Sequence, residues 1–538
     1  MKFMKLGTRP DTFYTEEAIR TVISDVPSDL TVRINNVSYL LHKLQCFLVP
    51  KCGLLQRVVA AAAVSDESST ASVTSLELND IPGGDEAFEL CAKFCYGITI
   101  NLSARNFAPA LCAAKFLRMT ESIENGNLIV KLESFFVSCI LEGWKDSVVT
   151  LQNAAERVYE WSEKIGVVRR CVESIVDKIL TPPSKVTWSY TYTRPRHDNR
   201  RRKSVPKDWW TEDISFLDID VFRGIVTAVK STNTMQPQLI GEALHVYAIR
   251  WLVDAPDDGG STSTEARKRR ILETIVTLIP AEKGSVSVKF LLRLLSIGTS
   301  LGASPLIKSE LVKLSGQQLD EATVNELLIT TPSGDDQICY DVDTFKTVLE
   351  SYWRQWRRHA PSDESRALRS LHKVGKLVDA YLQVAAKDPD IPAHKIAAVI
   401  ETLPGIARPE HNDLYKAIHT YLKMHPDLDK ADKKRLCRSL DLQKLSPEVR
   451  AHAVRNEHLP LRTVVQVLFF EQEKSGSSVI TASEKHRSSD NHDLQPDGDQ
   501  PEKSGGDRRK LIKSGGTAEL RAEPSFKIRE ASKGKEIR

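Results

Sequence analysis

Nothing in the 538 residues has the pattern of a disulfide framework or a zinc module. The nine cysteines are odd in number and scattered, and no C-x-x-C occurs, so the chain reads as a reduced, intracellular protein. Cys91 and Cys95 lie four apart in a helical pattern and are read as buried thiols in an apolar stripe. Long apolar runs are also missing. The densest, Val464 to Phe470, falls far short of the roughly 20 residues of a membrane helix. The opening MKFMKLGTRPDTF lacks the apolar stretch of a secretory signal. Charge of one sign is not in excess: 75 Lys and Arg stand against 71 Asp and Glu, a net of +4. No field over the whole chain therefore favours nucleic acid. G-x-G-x-x-G, G-x-x-x-x-G-K-[ST] and H-E-x-x-H are absent as well. With them go the usual signals of nucleotide and zinc-protease chemistry. No catalytic residue, cofactor or metal is expected, and the chain reads as a non-enzyme that works by holding other proteins.

What is present is patterned apolar sequence. Leu30 to Ile34 alternates as a half-buried strand, and Val37 to Leu41 follows the turn-forming Asn35-Asn36. Ser75 to Leu78 is a third strand, closed by Pro82-Gly83-Gly84. Helical spacing then takes over: Phe88, Cys91, Ala92 and Cys95 share one face, and Phe107, Leu111, Ala114 and Leu117 another. Few strands followed by paired helices predict a small α+β domain over residues 28–125. A helical connector over 126–180 leads to a polar, basic linker over 181–207 that contains Arg200 to Lys203. From 208 to 472 the chain reads as helix after helix, more an elongated array than one bundle. Beyond Glu473 it is rich in Ser, Gly, Asp and Lys and nearly devoid of aromatics, a composition predicting disorder.

Several clusters invite a chemical reading and receive a plainer one. His411, His419 and His425 are expected to face solvent from a helix, for want of a third ligand pattern. Asp218 with Asp220, and Asp341 with Asp343, are read as charge at helix starts. Trp209-Trp210 is read as the anchor that docks the linker on the helical unit. Val464, Val465, Leu468 and Phe469 form a face assigned to core packing. Arg201 stands three residues before Ser204 and Pro206 two after it. If Ser204 is phosphorylated, that spacing resembles a 14-3-3 docking motif. The same basic run also suits an anionic membrane surface or a nuclear signal, and a solvated linker is the plainest reading.

The residues also carry a resemblance. Asp29 opening a strand, Leu41-His42-Lys43 closing the next, and the helical segments Ala87 to Gly97 and Phe107 to Met119 resemble a BTB/POZ domain. Val205 to Asp213, Tyr340 to Asp343, Leu414 to Pro426, Leu436 to Leu445 and Asn456 to Gln472 follow in order. Together they resemble the plant non-phototropic-hypocotyl/root-phototropism family over about residues 1–472. The resemblance implies a BTB/POZ domain over 28–125 and a helical NPH3 domain over 208–472. It implies a homodimer or family heterodimer that docks on cullin-3 and recruits a target for ubiquitination in light and auxin signalling. The implied location is the cytoplasm with association to the plasma membrane, and the implied dimer or partner residues are Asp29, His42, Lys43, Phe88 and Phe116. Asp29 and Lys43 should form a buried or half-buried charge pair near the dimer axis. One segment departs from the family pattern: His42 and Cys52 are ten positions apart, two more than is usual. Two added residues turn a helix by about 200° unless a loop absorbs them.

Overall fold

The computed structural model describes residues 2–43, 48–65, 74–194, 204–253, 262–328, 330–332, 338–358 and 364–470. The expected disordered tail, 473–538, lies outside the described residues.

Strand β1 is Phe3–Leu6, β2 Phe13–Glu16, β3 Ile19–Val22, β4 Leu30–Ile34, β5 Val37–Leu41, β6 Thr74–Glu77 and β7 Ile100–Ser103. The hairpin of β4 and β5 forms as its alternation predicts. Leu30, Val32 and Ile34 point into the core, in register with Leu41, Tyr39 and Val37. Asn35 turns the chain at φ 51°, a conformation in which Asn is among the few tolerated residues. Around the hairpin a five-stranded sheet assembles in the order β2-β3-β5-β4-β6, with β3 parallel to β5 and β6 parallel to β4. Three strands thus precede Ser28, and β1 pairs separately with β7.

Helix Gly84–Cys95 packs on the sheet through Phe88 against Tyr39, and helix Phe107–Phe116 packs on that helix. Phe107 stacks on Phe136, centroids 4.9 Å apart, which carries the core of the sheet domain into the helices that follow. One apolar core runs from Val22 through to Leu314. A second, from Val288 to Val467, fills the rest of the helical body. Helix Val288–Ser300 is their common wall: Phe290, Leu291, Leu294 and Leu295 enter the first core, Val288 and Leu292 the second. Only the pairing of Thr330–Pro332 with Ile338–Tyr340 interrupts the helices of the body among the described residues.

The aspartate pairs start helices as expected. Asp218 accepts the N–H of Asp220 at 3.0 Å and Asp341 that of Thr344 at 2.9 Å. Cys91 and Cys95 are buried thiols, and burial pushes both well above the ordinary thiol range.

The final helix, over 461–470, corrects the expected core face. Val467 is fully buried, with Val464 and Phe470 packed beside it, whereas Val465, Leu468 and Phe469 are 40, 43 and 63% exposed. The segment is apolar on most sides, so periodicity alone does not select the inward face. Val467→Ala is expected to lower stability by about 2 kcal/mol and Phe469→Ala by no more than about 0.5 kcal/mol. Urea-unfolding midpoints of the two variants give the comparison, and equal losses would return Phe469 to the core.

Candidate docking surfaces

Asp29, His42 and Lys43 meet at one end of the β4–β5 hairpin. Asp29 sits where β4 begins, and its Oδ1 accepts the backbone N–H of Lys43 at 2.6 Å. The contact shown is therefore carboxylate to main chain. It closes the sheet end along with the bond from Asp29 N–H to the Leu41 carbonyl, 3.1 Å. His42 is buried, with Nε2 2.8 Å from the Val26 carbonyl and Nδ1 3.2 Å from the Tyr96 hydroxyl. A carbonyl only accepts, so the ring proton sits on Nε2 and Nδ1 accepts from Tyr96. Tyr96 Oη in turn accepts the His42 main-chain N–H at 3.1 Å. The network is complete within the domain and makes His42 a structural latch. Phe88 lies in the core, edge-on to Tyr39 at 4.9 Å, and offers no surface to a partner. Phe116 is half-buried against Trp161, 5.9 Å between centroids. The five residues do not form one face.

The helices on either side of Cys52 are seated on the sheet domain. Residues 44–47 lie outside the described residues, but Leu48, Cys52 and Leu55 are all buried at helical spacing. Gly53 and Leu54 donate to the carbonyls of Arg118 and Leu117 at 3.3 and 3.1 Å.

The hairpin of β2 and β3 carries an apolar face that sequence patterning does not reveal. Phe13 and Val22 are paired and turn inward, with Phe13 edge-on to Tyr96 at 5.9 Å. Side chains alternate along a strand, so Tyr14, Ile19 and Ile23 share the opposite side. They are 56, 45 and 70% exposed, and β2 is an edge of the sheet. Exposed edges and apolar faces of this kind are pairing surfaces.

Residues 181–194, expected as linker, form a strap packed onto the start of the helical body. Trp209 is buried and meets Trp144, Trp188 and Tyr190 at 4.6, 5.6 and 5.6 Å, which gives it the anchoring role read from the sequence. The Thr193 N–H donates to Glu212 at 2.8 Å. Arg194 pairs with Asp208 at 2.9 Å, with Glu212 at 3.1 Å and with Glu242. Ser204 is exposed and Pro206 half-exposed just ahead of this anchor. Arg201, the other part of that candidate motif, lies outside the described residues.

In the helical body a groove of about 640 Å³ is lined by Glu401, Arg408, His411, Lys434, Arg435 and Arg438 among others. Behind it Arg408 Nε bonds Asp379 Oδ1 at 2.7 Å, each side chain 4% exposed. Gly375 permits this packing, because a Cβ there would run into the Ala407 carbonyl. Burial raises the Asp379 carboxyl above its ordinary range, with Arg408 opposing.

The histidines correct the expectation of solvent-facing side chains. His411 is buried ahead of helix Asn412–Met424 and takes the N–H of Asp441 on Nδ1 at 3.0 Å. His419 contacts Asn456 at 2.9 Å, and His425 the carbonyls of Tyr421 and Pro389. Burial first, then the charges of Lys444 and Arg408, brings the His411 pKa from 6.5 to about 4. Between those values the unfolded chain binds a proton that the folded chain refuses, so stability falls as pH drops from 6.5 toward about 4. His411→Asn keeps an acceptor for Asp441 and is expected to flatten that limb. Urea midpoints from pH 7 down to about 4 would show it, and an unchanged slope would remove His411 as its source.

The NPH3 family profile matches residues 208–449, about the first nine-tenths of the helical body. A BTB/POZ domain-containing protein of Arabidopsis thaliana is 55% identical over 495 residues, covering 90% of this chain and 87% of the relative. The phototropic-responsive NPH3 family protein NPY1 of the same plant is 38% identical, with 90 and 83% covered. Its root phototropism protein 3 is 32% identical, with 89 and 78% covered. Sheet domain and helical body are thus shared together with these relatives, and the chain belongs to the NPH3 family, the plant non-phototropic-hypocotyl/root-phototropism group whose motifs its sequence carries.

Proposed function

We propose that this protein is a non-catalytic adaptor that recruits target proteins to a cullin-3 ubiquitin ligase in plant light and auxin signalling. The observation that carries the reading is the helix pair from Leu48 to Ser65, seated on the sheet domain through buried Leu48, Cys52 and Leu55. That domain is joined through a continuous core to a helical body large enough to hold a target. The names of the relatives, BTB/POZ domain-containing, phototropic-responsive and root phototropism, agree with such a role. Self-association is assigned to the outer face of the β2–β3 hairpin, where Tyr14, Ile19 and Ile23 are exposed beside an unpaired edge. Phosphorylated Ser204 would offer a 14-3-3 protein an exposed site next to a rigid anchor. Among the described residues no helix is long and apolar enough to cross a membrane, so a place at the plasma membrane would be peripheral.

Size-exclusion chromatography of the full chain with the purified cullin-3 N-terminal domain tests the proposal. Co-elution as a complex built on a dimer is expected, and Tyr14→Glu with Ile23→Glu should give a folded monomer. A dimer that never co-elutes with the cullin would overturn the ligase role and favour a membrane-peripheral signalling scaffold.

A further inference from the structure

The groove beside Arg408 holds two buried hydrogen-bond donors with no acceptor among the described residues. The Arg408 guanidinium gives Nε–H to Asp379 at 2.7 Å and Nη1–H to the Ile400 carbonyl at 3.3 Å, while Nη2 has no acceptor. His411 receives the Asp441 N–H on Nδ1, which fixes the ring proton on Nε2, and Nε2 has no acceptor either. The two residues are 4 and 5% exposed, and both line the same groove. Buried donors are nearly always met in native folds, and leaving one unmet is costly. Two in one cavity mark a place for an acceptor from outside the chain.

The charges around them say what kind of acceptor. Lys434, Arg435 and Arg438 stand at i, i+1 and i+4 on helix Lys430–Arg438, exposed along the rim. Arg435 is taken by Glu401, with Nε at 3.2 Å and Nη2 at 3.0 Å. Among the described residues Lys434 and Arg438 have no carboxylate within ion-pair distance, and they lie on the same wall. The lining therefore has four cations and one carboxylate, with Asp379 behind Arg408. A single carboxylate brings one charge and two oxygens. A phosphomonoester brings roughly −1.5 to −2 and three strong acceptor oxygens, the better match to two unmet donors and two free cations. The groove volume, about 640 Å³, lies within the roughly 300–1,000 Å³ of small-ligand sites and exceeds what one phosphate fills.

We propose that this groove is a phosphate-binding site in which a phosphoryl group accepts from Arg408 Nη2 and His411 Nε2 while Lys434 and Arg438 close over it. The site goes beyond the adaptor reading and does not rest on it. It gives the helical body a ligand of defined chemistry, presented by a soluble polyphosphorylated molecule or by a phosphorylated side chain of a recruited protein.

Isothermal titration of the full chain with inositol hexakisphosphate tests the site, with a phosphoserine peptide of neutral flanks titrated in parallel. Saturable one-to-one binding is expected. The exposed double variant Lys434→Ala, Arg438→Ala should weaken it at least tenfold without lowering the melting temperature. The control Lys289→Ala, Lys423→Ala, on exposed cations outside the groove, should change it less than twofold. Inorganic phosphate should displace the probe where sodium chloride of equal ionic strength does not. Groove-dependent binding of the peptide assigns the phosphoryl group to a protein partner, and of the inositol phosphate alone to a soluble ligand; either supports the site. Absence of saturable binding, an equal loss in the control, or equal displacement by chloride overturns it.

Discussion

Trp209→Ala is expected to lower the unfolding free energy by about 3–5 kcal/mol, the range for emptying a large aromatic site in a packed core. The indole is 1% exposed and joins two other segments of the chain. It meets Trp144 of helix Trp144–Arg157 at 4.6 Å, and Trp188 and Tyr190 of the strap at 5.6 Å each. The polar bonds beside it cannot compensate. Asp213 Oδ2, which accepts from Trp144 Nε1 at 2.7 Å and from the Thr191 N–H at 3.1 Å, is held at that distance by the same packing. Trp353 supplies the contrast: it is half-buried and stacked on Trp356 at 5.1 Å, so Trp353→Ala should cost less than half as much. Guanidinium unfolding followed by far-ultraviolet circular dichroism gives both values. A Trp209→Ala loss under about 1 kcal/mol would mean the strap is not held through this ring.

The parts of the fold that were legible in the sequence are those where burial imposes a local period. β4 and β5 were readable to the residue, because Leu30, Val32 and Ile34 alternate against a core on one side only. The helix carrying Phe88, Cys91, Ala92 and Cys95 was readable for the same reason, as all four are buried. β1 to β3 were not. They are four residues each, mostly exposed or half-exposed, and are placed by partners far along the chain, such as the parallel register of Ile19 with Ser38. The Tyr14–Ile19–Ile23 face follows from that register and from nothing local. Helical spacing does not govern His411, because the residue precedes its helix. There the side chain answers to Asp441, 30 positions away. The groove was equally hidden, since the ion pair behind it joins Asp379 of helix Glu364–Ala385 to Arg408, which lies outside any helix 29 positions on.

That ion pair sets the second large expectation. Asp379→Ala should cost about 3–5 kcal/mol, because it strands a buried guanidinium that already has one donor without an acceptor. Arg408 cannot discard its charge, since a guanidinium stays protonated throughout the accessible range, and at 4% exposure it is largely desolvated. Replacing both partners, Asp379→Leu with Arg408→Leu, removes the stranded charge along with the pair and should recover most of the loss, since apolar substitutes for a buried pair are often neutral or better. The pH dependence runs opposite to that of His411. Burial raises the Asp379 carboxyl, so between its unfolded and folded pKa values the folded chain holds a proton the unfolded chain has released. Its contribution to stability is therefore largest at low pH and declines as pH rises through that window. Asp379→Asn removes this declining term, so the stability difference between wild type and variant should shift with pH across the carboxylate range. Urea midpoints of the single and double variants, taken at pH 5 and 7, read both effects. If Asp379→Ala and the double variant lost the same amount, the cost would come from lost volume and not from an uncompensated charge.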